Sequence, residues 1–580
     1  MSTGSSKSRR RQRAPSETSA KTKGAYKAVP EPPSSDLSDR TWLISCITVL
    51  LVGALLRLYH LDLVPLHHDE GVNGNFLVRL VRDGAYQYDP QNYHGPSLYY
   101  VSAIIPWIIR FLFGVQAQNT YGLNTVTIRL VTAAFGIATI VLILTLRRRL
   151  GSIGVLAAAA LLAVSPGAVY LSRYFIHESL FVFFTLGVVI AGLKYFEDGH
   201  LVYLVLASAS AALLFATKET FIINAPVLLI ALAMTQLYFW LRSRWLKPPR
   251  NQLKDRSGRS RSLGERLKEN VERLGGPTRL GIFALVAVGV FAAVAVLFYS
   301  SFFTNYPKGV VDSLKTFQVW TKTGQSAHVH PRWKYVEWLA LQESPLLLLG
   351  TFGAVIALWR PRNSFAVFSA LWAGGTLAAY SLVPYKTPWL ALNMILPLSI
   401  AAGCGFQALY EYGNRELRVV ATILLLAMSV SLYQAIDLNF FNYDNDKKTV
   451  NLKVLDSPEQ YYVYVYAHTR RETLNLVDEI DRLARVSGEG SKMGVTIVSP
   501  DYWPLPWYLR DYSRVGYFGH MAASTEPVVI ASEAQRNEVQ TAFGDRYQIV
   551  NSRLNPEGSY SLRPGVELLI LVRRDIASRQ

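Results

Sequence analysis

Eleven runs of predominantly apolar residues, each fifteen to twenty-two long, recur up to residue 436 and decide what this chain can fold into. A backbone inside hydrocarbon must satisfy its own hydrogen bonds, so runs of this length read as helices that cross a bilayer. They cover residues 42–61, 128–146, 153–172, 179–196, 201–217, 221–241, 280–301, 345–359, 364–382, 388–409 and 416–436. The expected class is a polytopic α-helical membrane protein of about eleven transmembrane helices, in keeping with a 51% hydrophobic composition.

The net charge of +18 raises a nucleic-acid reading, which the placement of the charge argues against. Residues 1–40 carry nine Lys/Arg against four Asp/Glu, and residues 242–279 carry twelve against four, so two polar stretches flanking apolar runs hold thirteen of the eighteen charges. Such flanks mark the cytoplasmic side of a multi-pass protein, with no nucleic acid among its partners. The N-terminal forty residues are expected to be a disordered basic tail, and the first span a retained anchor, since so long a polar lead does not suit a signal peptide. Counting 98–114 as a span would reverse every later loop, so that segment, with Pro106 and Trp107, is expected to be an interfacial helix. Residues 62–127, 173–178, 218–220, 302–344, 383–387 and everything after about 437 then fall outside, in a plasma membrane. Cys46 and Cys404 lie within apolar runs and read as small buried residues.

From Asp437 the pattern changes. Strand-like runs at 493–498 and 566–572 flank a polar helical stretch over 469–486, which predicts a small extracytoplasmic α/β domain spanning 437–580. Its Asp501–Arg510 segment is rich in aromatics, notably Trp503 and Trp507. These suit either gripping an acceptor or packing against the membrane domain.

The ionisable motifs collect on the outer side. Asp69 and Glu70 follow the first span, and neighbouring carboxylates point in different directions, so one can act on a reacting group while a cation holds the other. Burial would raise the base's pKa, whereas the competing account makes Asp69 a cap for a helix over 71–83. His94 precedes Gly95-Pro96; Arg173 and Glu178 share a short loop; Lys218-Glu219 and Tyr385-Lys386 stand at span ends. Each alone has a structural explanation as an ion pair or a snorkelling lysine. Together, acids at 69, 70 and 178 with cations at 173, 218 and 386 would form one outward cavity suited to a lipid phosphate.

These residues resemble a known family. The Asp-Glu pair after the first span, the helix ending in Asp83-Gly84-Ala85-Tyr86-Gln87-Tyr88-Asp89-Pro90, and Tyr93-His94-Gly95-Pro96-Ser97-Leu98-Tyr99-Tyr100 look like the GT-C superfamily of polyprenyl-phosphate-dependent glycosyltransferases. The similarity is to its protein O-mannosyltransferase and lipid A aminoarabinose transferase branch (glycosyltransferase family 39-like). Within that, the chain is most similar to a prokaryotic subgroup labelled as associated with flippase activity, through its Arg173…Glu178-Ser179-Leu180 loop and Tyr385-Lys386-Thr387-Pro388-Trp389 motif. It covers roughly residues 42–436, and Trp503 to Tyr508 extend it into the outer domain.

The resemblance implies an integral membrane transferase that moves a sugar, with inversion, from a polyprenyl-phosphate donor to a lipid, glycan or protein acceptor. It makes Asp69 the general base, Glu70 its companion, and Glu178 a second acid; Glu178, with Glu70, would hold a divalent metal should the site take one. His94 stands where the aminoarabinose branch has a lysine, so Lys218 or Lys386 is expected to take over the phosphate, with Arg173 beside them. Glu219 and Tyr385 complete the donor side, Trp503 and Trp507 the acceptor side. No Gly-rich nucleotide loop is present, as suits a donor without a nucleotide. A lipid flippase and a non-catalytic envelope-assembly subunit are the rival functions; the chain shows no internal repeat of the kind transporters carry.

Overall fold

The computed structural model describes residues 37–92, 94–114, 122–245, 271–323, 328–413, 415–444, 462–550 and 558–578. The expected N-terminal tail thus lies almost wholly outside the described residues, as does most of the 242–279 loop. Among the described residues eight helices are long and apolar enough to cross a membrane, and two bent helix pairs raise the number to ten. Each of the eleven apolar runs is helical, with three departures from simple spans. The 153–172 run breaks by 60° between Ser152–Val164 and Pro166–Ser172, because Pro166 cannot donate a ladder hydrogen bond and the Ser165 side chain caps the new start at Ala168. The 201–217 run forms a helix of only fifteen residues, Leu201–Phe215. The 345–359 run follows Lys334–Gln342 across a 114° bend at Glu343.

Glu343 ties the two breaks together. It is fully buried and accepts hydrogen bonds from Ser165 Oγ (2.9 Å) and the Gly167 amide (2.7 Å). Backbone groups released by a broken helix need such a partner when water is absent.

Four helices lead to the site: α1 (Asp39–Leu58), α2 (His68–Val78), α3 (Ser97–Phe113) and α4 (Thr125–Leu144). The α3 helix, expected at the interface, is apolar and seventeen residues long, with Phe111, Leu112 and Phe113 exposed at its end. Arg149, Arg360 and Arg362, expected on one side of the membrane, line a common small pocket.

The C-terminal domain is a six-stranded mixed sheet: β1 (Val495–Ile497), β2 (Val515–Tyr517), β3 (Val528–Ser532), β4 (Tyr547–Ile549), β5 (Ser559–Arg563) and β6 (Val566–Arg573). The order is β2-β1-β3-β6-β4, with β5 on β6. β1 runs parallel to β2 and β3, whereas β3 and β6 are antiparallel, with Val529 opposite Leu571. The helix Glu472–Ser487 buries Leu476, Ile480 and Leu483, one face at helical spacing, against this sheet. Just before it, Tyr462 to Val465 pack into the core of the membrane domain, which seats the C-terminal domain over the face that carries Asp69.

Candidate active site

Two adjacent carboxylates open α2 and meet opposite fates. His67 is the N-cap: its Nδ1 accepts the Asp69 amide (3.2 Å), while the Glu70 side chain accepts the His67 amide (2.9 Å), a reciprocal capping box. Asp69 is therefore not the cap. Successive helical residues are about 100° apart, so Glu70 turns inward. There Arg129 Nε and Nη2 reach it at 2.7 and 2.6 Å and the Phe175 amide at 2.7 Å. The remaining Arg129 donors go to the carbonyls of Leu61, Val64 and Pro65. With both oxygens doubly engaged and no exposure, Glu70 has no lone pair left for a proton transfer or a metal. Its expected role as companion acid and ligand gives way to that of a strut.

Asp69 faces a cavity of about 220 Å³. Its side chain is 40% exposed, and among the described residues it accepts no hydrogen bond. The expected desolvated carboxylate is replaced by one open to an incoming hydroxyl. The cavity's other walls are the amides of Asn73, Gln91 and Asn92, the imidazoles of His68, His94 and His177, Glu178, and the apolar Val72, Ile176 and Trp389. An indole facing a rim of amides and imidazoles matches a sugar ring, which has an apolar C–H face and a polar edge.

The far wall is two interlocked pairs. Lys218 is bonded to Glu178, both 3% exposed, and His94 Nδ1 meets Glu219 Oε2 at 2.9 Å. Burial pulls the Glu219 carboxyl upward, but His94 and Lys218 outweigh it and leave it below its ordinary range. His177 lies 4.9 Å from His94, ring to ring, and its Nε2 contacts the Gly95 carbonyl (3.1 Å). Burial first, then the neighbouring His94 and Lys218, hold it well below the usual imidazole pKa, hence neutral. Gly95 and Ser97 donate to the carbonyls of Thr217 and Ala216, and a Cβ at position 95 would collide with the Ala216 carbonyl. That close approach explains the glycine in His94-Gly95-Pro96.

The expected ring of phosphate-binding cations is not what the residues form. Among the described residues no lysine or arginine lines the cavity. Arg173 caps α1 instead, donating to the carbonyls of Leu56, Tyr59 and His60 (3.2, 2.6 and 2.9 Å). Its cation is thus used at a helix C-terminus, where the backbone dipole favours it. Lys218 is held by Glu178 Oε1. Among the described residues no group of three or more His, Cys, Asp or Glu is placed to hold a metal ion. Lys386 donates to the Val383 carbonyl and lies 5.9 Å from the Tyr335 ring, with burial lowering its pKa. Tyr385 bridges to Val329 and sets its ring against His328. The member of this motif that reaches the cavity is Trp389, next to the lysine-threonine-proline run.

Trp503 sits 6.1 Å from His68, ring to ring, beside the cavity mouth. Trp507 is 1% exposed and packs on α2, so it cannot meet an acceptor. Asn73, Gln91, Asn92 and His177 escaped sequence reasoning. For His177 the signal was present, since it directly precedes Glu178.

Residues 101–248 match the family model described as dolichyl-phosphate-mannose-protein mannosyltransferase. Most of the chain superposes on solved structures. ArnT from Cupriavidus metallidurans bound to undecaprenyl phosphate has a TM-score of 0.56 at 13% identity, covering 92% of this chain and 98% of that one. The fold is that of ArnT. ArnT in the apo state aligns with this chain at a TM-score of 0.54 and 13% identity, over 93% and 99% of the two chains. The Archaeoglobus fulgidus oligosaccharyltransferase AglB, in complex with an inhibitory peptide and a dolichol-phosphate, gives 0.50 at 11%, over 89% and 73%. No curated protein matches the chain by sequence.

Proposed function

We propose that the protein is a membrane glycosyltransferase that passes a sugar from a polyprenyl-phosphate donor to the hydroxyl of an acceptor, with Asp69 as general base. The observation that carries this reading is Asp69 itself, a carboxylate that accepts no hydrogen bond among the described residues, with His67 Nδ1 3.9 Å away, aimed into a cavity of about 220 Å³ walled by amides and an indole. A transferase needs a base within hydrogen-bond reach of the attacking hydroxyl. Asp69 takes the hydroxyl proton, the acceptor oxygen bonds to the anomeric carbon from the face opposite the phosphate, and the carbon–oxygen bond to polyprenyl phosphate breaks, inverting the centre. His94, His177 and the amides of Asn73, Gln91 and Asn92 read the sugar's hydroxyls.

The lipid phosphate falls to Lys386. Among the described residues its ammonium is paired with no carboxylate, and it is three residues from Trp389 at the cavity. An approaching phosphate would favour the charged form that burial disfavours. The site faces the extracytoplasmic side of the plasma membrane, with the Arg149/Arg360/Arg362 pocket on the cytoplasmic side, as the positive-inside rule requires. The acceptor enters past Trp503 and His68.

The test is reconstitution in vesicles with labelled polyprenyl-phosphate sugars and envelope acceptors. Labelled sugar joined to an acceptor is the expected product. Movement of intact donor between leaflets without transfer would replace this reading with that of a flippase.

A further inference from the structure

The helix that carries Asp69 is gripped by residues about four hundred or more positions away. Gly71 and Gly74, three residues apart, share one face of α2, and the C-terminal domain seats Pro504 and Trp507 against them. A Cβ at position 71 would lie 2.6 Å from Pro504 Cβ, and one at 74 would lie 2.6 Å from Trp507 Cε3. Both distances are far inside carbon–carbon contact, so only hydrogen fits there while the domain is docked. The N-terminus of α2 is held by the same part of the chain. The Leu66 amide donates to Tyr508 Oη (2.9 Å) and His67 Nε2 to the Tyr466 carbonyl (3.0 Å).

We propose that the C-terminal domain is a clamp that positions Asp69 for catalysis, with Trp507 as a positioning residue seated in the Gly71/Gly74 notch. The inference rests on the role given to Asp69 above. An eleven-residue helix is too short to hold itself. The membrane domain holds one side of α2 through Glu70, paired with Arg129, and Asn73, which donates to the Phe175 carbonyl and accepts from Tyr99 Oη. The C-terminal domain grips the glycine face, so that α2 and Asp69 are fixed from both sides. A misplacement of about 1 Å at a catalytic group costs about a hundredfold in rate.

The test uses the full chain in lipid nanodiscs with Gly74→Ala, Trp507→Leu and the double variant. Amide hydrogen exchange of α2 and transfer kinetics are measured together. Each single variant is expected to speed exchange over residues 69–78 and lower kcat about a hundredfold while the donor KM stays within about threefold. The double variant, in which leucine leaves room for the alanine methyl, is expected to recover both readouts at least about tenfold over Gly74→Ala. A contact that merely stabilises the fold would not lower kcat at an unaltered donor KM. Unchanged exchange in both single variants, or faster exchange with unaltered kcat, overturns the proposal. Should either variant fail to fold, seen as lost protection throughout the transmembrane helices, Trp507→Phe takes its place with intermediate protection and kcat expected and wild-type values refuting. Absence of transfer by the wild type would overturn the glycosyltransferase reading and the catalytic part of the clamp; the exchange data would then report on docking alone.

Discussion

Replacing Glu70 and Asp69 by their amides, one at a time, should separate stability from chemistry at neighbouring positions. Glu70 accepts from the His67 and Phe175 amides and twice from Arg129. In Glu70→Gln, whichever way the amide is turned, two of those four donors face an NH2 group. Two hydrogen bonds to a charged group, worth about 1.5–3 kcal/mol each, are lost. That agrees with the about 3–5 kcal/mol that follows from removing one partner of a buried ion pair. A loss near 4 kcal/mol lowers the folding equilibrium about a thousandfold. Asp69→Asn removes a carboxylate that is 40% exposed and unbonded within the described residues, so its stability change should stay within about 0.5 kcal/mol. Equilibrium unfolding in mixed micelles of mild detergent and dodecyl sulfate reads the difference. Equal midpoints and slopes for Glu70→Gln and wild type would refute the reasoning.

Arg173→Ala should lower the unfolding midpoint, because three carbonyls at the end of α1 lose their donor, while leaving the donor KM within about twofold; a selective rise in KM would restore the phosphate-binding role. Lys218→Met strands a buried Glu178 carboxylate at a cost of about 3–5 kcal/mol, and adding Glu178→Leu should recover most of it, measured in the same unfolding assay. Acid should destabilise the protein in a defined window. Burial depresses the pKa of His68, His177 and His468 in the folded state. The folded protein therefore binds fewer protons than the unfolded chain, and the stability these groups confer is full above about pH 6.5 and declines as pH falls below it. Thermal unfolding between pH 7.5 and 5 should show the decline, and a flat profile would contradict it.

What was legible in the sequence is what solvent imposes locally. Apolar runs declare helices in lipid without reference to any partner, and Pro166 inside such a run already carried its break. The Asp69-Glu70 pair was visible as a candidate, but which carboxylate reacts depended on Arg129, whose pairing with Glu70 spans 59 residues. Arg173 looked like a phosphate ligand because its loop is short and charged; its actual acceptors are carbonyls at the end of α1, which no local pattern marks. Trp507 suits acceptor contact and packing equally until Gly74, 433 residues earlier, supplies the space it fills. Glycines at 71 and 74 gave no hint of the ring they admit.

The account stands most directly on a single-turnover measurement with Asp69→Asn. Donor is pre-bound to wild type and variant in nanodiscs, acceptor is added, and transfer is timed. Donor binding should be retained by the variant while the transfer rate falls about a hundredfold to ten-thousandfold, the range a positioned general base contributes. Transfer by the variant at the wild-type rate would contradict the assignment of Asp69 as the base.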